Sequence, residues 1–294
     1  MKNQTVSELV INWHITEACN YDCKFCYAKW GRPDEIHREP KLINDTLNSL
    51  ANFFLHSGNK LKEQMGYENV RLNFAGGEPF LLKKKFTDVL SAAHKAGFKL
   101  SIITNGHYLT PSFIQENAGI LDMVGISFDA QSQMDREIIG RVDRHGRSFE
   151  TQNLVETVNL FRCINDNIKI KVNTVVNSVN WEEDFSELIH QLKPEKWKVL
   201  QVLPVLDSVS LEVTDHQFND FARRHQLNGL NPLVESNEVM AGSYLMIDPK
   251  GRFYQNSYGN KGYQYSSSIA QVGAETALTQ IDFSPDHFSA RYRN

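Results

Sequence analysis

The chain has 294 residues, 41% of them hydrophobic and 22% charged, enough to bury one large core or two of average size. A net charge of −4 and the lack of any run of about 18 apolar residues argue against a broad nucleic-acid surface and a membrane-spanning helix. Residues 1–8 are polar and carry no secretory pattern, so a soluble protein of a reducing, cytoplasmic compartment is expected.

In chain order, residues 10–15 read as a first strand, with Ile11, Trp13 and Ile15 on one face and Asn12, His14 and Thr16 on the other. A loop holding Cys19, Cys23 and Cys26 follows, then an amphipathic helix over 42–54. The second strand, 70–74, separates Val70, Leu72 and Phe74 from Arg71, Asn73 and Ala75, and runs straight into Gly76-Gly77-Glu78-Pro79. Helices over 84–96, 111–118, 149–163 and 181–192 then alternate with strands over 100–104, 123–128, 168–176 and 197–203. Such alternation predicts an α/β chain with a parallel sheet, and six units suit a partial (β/α)6 barrel. Beyond Asp207 the pattern changes to a helix over 215–225 and two short strands, 244–247 and 252–254, joined by a Pro249-Lys250-Gly251 turn. The expected division is therefore a barrel over 1–205 and an α+β extension over 206–294 that closes the substrate site. Residues 256–268, rich in Asn, Ser, Gly and Tyr, read as a mobile lid.

Strand alternation carries a functional message. Helices cover a barrel from outside, so the apolar faces turn outward and the polar faces line the lumen. Here the lumen receives Asn12, Arg71, Asn73, Lys171, Asn173, Lys196 and Lys198. An ordinary closed barrel fills that space with branched apolar side chains, and cations enclosed there need a charged partner. An anionic small molecule is the natural candidate.

The three cysteines are spaced C-x3-C-x2-C directly after the first strand. A structural zinc site takes four protein ligands and an electron-transfer cluster takes four cysteines, whereas the one further cysteine here, Cys163, is remote in sequence. Three thiolates with an open corner predict a catalytic [4Fe-4S] cluster.

Cys19-x3-Cys23-x-Phe25-Cys26, with Gly76-Gly77-Glu78-Pro79 after the second strand, resembles the signature of the radical S-adenosylmethionine enzymes. That resemblance implies a cluster on Cys19, Cys23 and Cys26 whose open iron is chelated by S-adenosylmethionine. It also places Gly76, Gly77, Glu78, Asn105, Ser127 and Arg141 at cofactor-contacting positions, Arg141 having the planar fork that suits a carboxylate. Asn73-Phe74-Ala75-Gly76-Gly77-Glu78-Pro79-Phe80, Lys171-Val172-Asn173-Thr174-Val175-Val176-Asn177, Trp197-Lys198-Val199-Leu200-Gln201 and Ser243-Tyr244-Leu245 are in turn similar to the viperin family of antiviral enzymes. By that likeness the reaction is a lyase step: a 5′-deoxyadenosyl radical takes the 4′ hydrogen of a ribonucleoside triphosphate (CTP, UTP or GTP). Loss of the 3′ hydroxyl, with one electron and one proton, then gives the 3′-deoxy-3′,4′-didehydro nucleotide, a chain terminator. The same likeness places Asn12, Arg71, Lys171, Asn173, Lys196, Lys198 and Tyr244 at substrate positions; Tyr244 is the candidate for proton delivery, and a monomeric enzyme served by an electron donor of flavodoxin or ferredoxin type is expected.

The chain departs from the animal members of that family in lacking a membrane-binding N-terminal helix and a Trp-terminated tail, and in carrying Ala75 for Ser, Arg71 for Lys and Lys196 for Arg. Two other readings compete. Radical enzymes that modify peptides or cyclise GTP commonly carry auxiliary-cluster cysteines, and none follows Cys163 here. A non-catalytic metal regulator would close the site with His14 or His37.

Overall fold

The computed structural model describes residues 6–28, 31, 34–56, 58–203, 210–237, 243–256 and 263–292. Its strands are β1 Glu8–His14, β2 Asn69–Ala75, β3 Lys99–Thr104, β4 Met123–Ser127, β5 Lys169–Val176, β6 Lys196–Gln201, β7 Leu233–Glu235, β8 Leu245–Ile247, β9 Arg252–Asn256 and β10 Tyr263–Ser268. Its principal helices are α1 Pro40–Phe54, α2 Lys60–Met65, α3 Lys84–Lys95, α4 Pro111–Asn117, α5 Gln133–Ile138, α6 Thr151–Ile164, α7 Ser186–Leu192 and α8 Asp215–Leu227. Contacts divide the chain into two compact units, Met1–Ala18 with Trp30–Ser101 and Met240–Asn294, and Cys19–Lys29 with Ile102–Val239. The residue 205/206 division expected from composition falls outside the described residues.

In the first unit β1 pairs in parallel with β2 and with β8, which pairs antiparallel with β9, as β9 does with β10. Helix α1 begins with Pro40 at its first position and buries Ile43, Leu47, Leu50 and Phe54 along one stripe. That stripe meets the sheet through Phe54 and Phe253, whose ring centroids are 6.3 Å apart. Helix α3 does the same with Phe86, edge-on to Phe74 at 6.0 Å, and Phe74 lies 5.7 Å from Trp13. The odd residues of β1, the even residues of β2 and two helices thus form one apolar layer. Asn12 and Asn73, paired in register, face the other way.

In the second unit β4, β5, β6 and β7 pair in parallel in sequence order, as consecutive βα units do. Trp197 on β6 packs edge-on against His225 at 4.9 Å and near Phe221 at 6.1 Å, which fixes α8 on the apolar face. His225 is wholly buried, its Nε2 accepting from the Phe185 N–H at 2.9 Å while Nδ1 sits 2.7 Å from the Phe221 carbonyl. Capping boxes start α6 at Glu150/Asn153 and α8 at Thr214/Gln217.

Two expectations are corrected. Residues 263–268 are not lid but strand β10, Tyr265 pairing with Tyr254 and Ser268 with Arg252; 257–262 lie outside the described residues. The segment reads Tyr-Gln-Tyr-Ser-Ser-Ser, so no apolar period announced the strand. The helix expected over 181–192 begins only at Ser186. Arg224 takes the carbonyls of Trp181 and Glu182, each at 2.6 Å, and so holds these residues in a turn.

Candidate functional site

The turn after β2 is built on backbone contact. Gly77 and Glu78 donate their N–H groups to the carbonyls of Thr16 and Ala18, both at 2.7 Å. Gly76 has φ +145°, and a Cβ there would lie 2.3 Å from the Thr16 oxygen; at Gly77 it would lie 2.2 Å from the Ala18 oxygen. Only glycine allows this approach. The opposing segment is itself clamped: the buried Glu35 carboxylate accepts from the Glu17 N–H at 2.7 Å and the Thr16 hydroxyl at 3.1 Å, and meets His37 at 2.6 Å. No motif pointed to Glu35, because a single acid between unremarkable residues leaves no pattern.

On the polar face of the same unit, Arg71 reaches Glu8 at 2.6 Å and donates to Ser101 at 2.9 Å. Ser101 donates to Asn73, and Asn73 to Asn12, both at 2.7 Å. These form one buried chain of polar groups, and its Arg71 already has a carboxylate beside it. His14 lies two residues beyond Asn12; its Nδ1 is 2.6 Å from the buried Tyr254 hydroxyl. Burial pushes the His14 imidazole down to about 4. Tyr244 sits just before β8, its carbonyl accepting from Gln255 at 2.7 Å.

In the second unit, the cysteine loop carries an exposed Cys19, a buried Cys23 and a half-buried Cys26. The Tyr21 N–H donates to the Cys19 sulfur at 3.4 Å, and Asn105 lies 3.8 Å from it while donating to Asn20 at 2.8 Å. Arg141 reaches the Cys23 sulfur at 3.9 Å. Burial pushes the Cys23 thiol up to about 12, opposed by Arg141 and reinforced by Asp129, Cys19 and Cys26. Gly140, at φ +79°, presses against the Asp22 carbonyl, and Lys24 donates to the Ile139 carbonyl at 3.1 Å. A small cleft beside the loop is lined by Tyr21, Asn105, Ser127, Asp129 and Arg141.

These residues suit an iron-sulfur cluster. Loop sulfurs that accept hydrogen bonds, with a cation at the buried one, fit cluster thiolates. His14 and His37, the histidines a closed regulator site would draw on, face Tyr254 through Nδ1 and Glu35 through Nε2.

Strands β5 and β6 present their polar residues in register, Lys171 opposite Lys196 and Asn173 opposite Lys198. Lys198 and Glu235, both largely buried, form an ion pair. Sequence reading missed Glu235 as its partner, since the strand that carries it is only three residues long.

Among the described residues no helix is long and apolar enough to cross a membrane. A family model described as the radical SAM superfamily matches residues 13–192. The chain is 43% identical over 293 residues to an S-adenosylmethionine-dependent nucleotide dehydratase of Pseudoalteromonas ulvae, covering 99% of this chain and 94% of that protein. A protein of the same description from Psychrobacter lutiphocae is 41% identical, covering 97% and 95%. The Danio rerio S-adenosylmethionine-dependent nucleotide dehydratase RSAD2 is 33% identical, covering 96% and 76%. Among solved structures, native anSMEcpe with bound AdoMet matches with a TM-score of 0.66 over 95% of this chain and 82% of that one, at 13% identity, a likeness of fold alone.

Proposed function

Because the chain belongs to the radical S-adenosylmethionine superfamily and, within it, to the S-adenosylmethionine-dependent nucleotide dehydratases, we propose that its substrate is a ribonucleoside triphosphate. The enzyme uses a [4Fe-4S] cluster and S-adenosylmethionine, and on this reading it forms the 3′-deoxy-3′,4′-didehydro nucleotide, with CTP the first choice of base and UTP or GTP the alternatives.

The observation that carries the triphosphate is Lys171 directly opposite Lys196 across β5 and β6. Two lysines side by side on adjacent strands offer a polyanion two charged donors from one face of the sheet. Arg71 and Lys198, which keep Glu8 and Glu235 beside them, are further triphosphate contacts in this reading. Asn12 and Asn173 orient ribose or phosphate oxygens.

Cys19, Cys23 and Cys26 hold the cluster in this reading. The cluster and S-adenosylmethionine, once bound there, would supply the radical chemistry that removes the substrate's 4′ hydrogen. The chain's own residues position the partners: Gly76 and Gly77 let backbone approach the cofactor's amino group beside Glu78, Asn105 and Ser127 meet its remaining polar atoms, and Arg141 takes its carboxylate. Tyr244 delivers the proton to the substrate. Turnover undiminished in Tyr244→Phe would remove that role. Residues 206–294 close the substrate site in the same reading, and the protein is a cytoplasmic monomer served by a flavodoxin- or ferredoxin-type donor.

Competition among CTP, CDP and CMP for the reconstituted enzyme tests the clamp. The expected order is triphosphate far ahead of monophosphate, the gap shrinking as salt is raised. Equal affinities would refute it.

A further inference from the structure

Asp129 lies just past the end of β4, 2% exposed, and belongs to none of the motifs that identify the site. A carboxylate at that depth needs fixed partners. One oxygen accepts from the Val175 N–H on β5 at 2.6 Å; the other lies 2.5 Å from Nε of Arg141 in an ion pair. Its backbone is held as firmly: the Asp129 carbonyl accepts from Asn180 at 2.6 Å, and the neighbouring Phe128 carbonyl accepts from Thr174 at 2.9 Å. Burial pushes the Asp129 carboxyl up, against the pull of Arg141 and the Val175 N–H. Burial likewise opposes the Arg141 charge, but Asp129 and the nearby Cys23 thiol outweigh it and hold the guanidinium above its ordinary value.

A guanidinium has two working edges. Asp129 lies against the Nε side, and Arg141 lines the same cleft as Asn105 and Ser127. In the same conformation its Nη1 lies 3.9 Å from the Cys23 sulfur and its guanidinium carbon 5.9 Å from the Tyr21 ring centre, so Asp129, Cys23 and Tyr21 together set where the fork points.

We propose that Asp129 is a positioning residue for the cofactor: by holding the Nε edge of Arg141 it aims the terminal nitrogens at the carboxylate of S-adenosylmethionine. The inference rests on the reading of Arg141 as a cofactor contact.

Asp129→Asn keeps the volume and an acceptor for Val175 but sets an amide donor or a neutral oxygen against the Nε–H. The test compares binding of S-adenosylmethionine and its decarboxylated analogue to iron-reconstituted wild type, Asp129→Asn, Asp129→Glu and Arg141→Gln. Equilibrium binding is read alongside the change that cofactor addition makes in the electron paramagnetic resonance of the reduced cluster. Wild type prefers the carboxylated cofactor. Asp129→Asn should lose about tenfold of that preference, with iron content and affinity for the analogue little changed and kcat at saturating cofactor far less affected than KM, while the broken buried pair lowers the melting temperature. Asp129→Glu should recover part of it. Should Asp129→Asn not fold, Asp129→Glu alone is decisive, since a carboxylate set one bond further out must weaken the preference several-fold. Undiminished preference in both overturns the proposal. If Arg141→Gln also keeps the preference, it is the underlying role of Arg141 that fails; if only Arg141→Gln loses it, Asp129 does not position the fork.

Discussion

Gly77→Ala should disable the turn after β2 while leaving the cysteine loop's own sequence intact. The added Cβ would stand 2.2 Å from the Ala18 oxygen, 2.4 Å from the Glu17 oxygen and 2.5 Å from the Ala18 carbonyl carbon, all backbone atoms that cannot rotate away. Relief requires the turn to withdraw by about an ångström, which breaks or stretches the two 2.7 Å bonds from Gly77 and Glu78 to Thr16 and Ala18. Two hydrogen bonds at about 1 kcal/mol each and an overpacking cost of about 1–3 kcal/mol give a loss of roughly 3–5 kcal/mol. The same displacement moves the Gly76 and Gly77 backbone proposed to approach the cofactor's amino group. Gly119→Ala is the matched control, since nothing lies within 4 Å of the added atom and its φ is not positive; it should be neutral or gain about 0.5 kcal/mol. Urea unfolding and cofactor binding on both variants check the calculation. Wild-type stability and cofactor affinity in Gly77→Ala would refute the reasoning from backbone approach.

Glu35→Gln should weaken cofactor binding several-fold without lowering iron content, because the amide keeps a poorer grip on Thr16, the Glu17 N–H and His37; binding assays with iron analysis decide it. Lys198→Gln leaves Glu235 buried without its lysine and should cost about 3 kcal/mol of stability as well as triphosphate affinity. Lys198→Gln with Glu235→Gln should restore the unfolding midpoint but not the affinity, and recovery of both would show that Lys198 is purely structural. Acid should weaken the fold through His14, whose imidazole is lowered from 6.5 to about 4. The folded state then binds the proton less readily than the unfolded chain, so this contribution, about 3 kcal/mol, is whole above pH 6.5 and is lost as pH falls toward 4. The buried His225 is shifted in the same direction and adds to the trend. Urea midpoints that stay flat from pH 7 to pH 4.5 would contradict it.

Strand faces were legible because water sorts side chains at a period of two: Ile11, Trp13, Leu72 and Phe74 alternate with Asn12 and Asn73, and the structure puts the former under helices and the latter in a polar chain. The cysteine spacing and the glycine pair were legible for a related reason, since each is a local pattern with few structural uses. What stayed hidden depends on contacts between distant positions. Asp129, Glu35 and Glu235 are single acids whose partners lie 12, 19 and 37 residues away, and no window of sequence couples them. The strand at 263–268 was hidden differently: its residues earn their place by pairing with β9, as where Tyr265 lies 6.0 Å from Tyr254, and not by an apolar face.

The most direct test of a nucleoside triphosphate dehydratase is anaerobic turnover of the iron-reconstituted protein with S-adenosylmethionine and dithionite, supplied separately with CTP, UTP, GTP and ATP. The account predicts that one nucleotide stimulates formation of 5′-deoxyadenosine and itself loses the mass of one water. Slow cofactor cleavage that no nucleotide stimulates, with every triphosphate recovered intact, would contradict it.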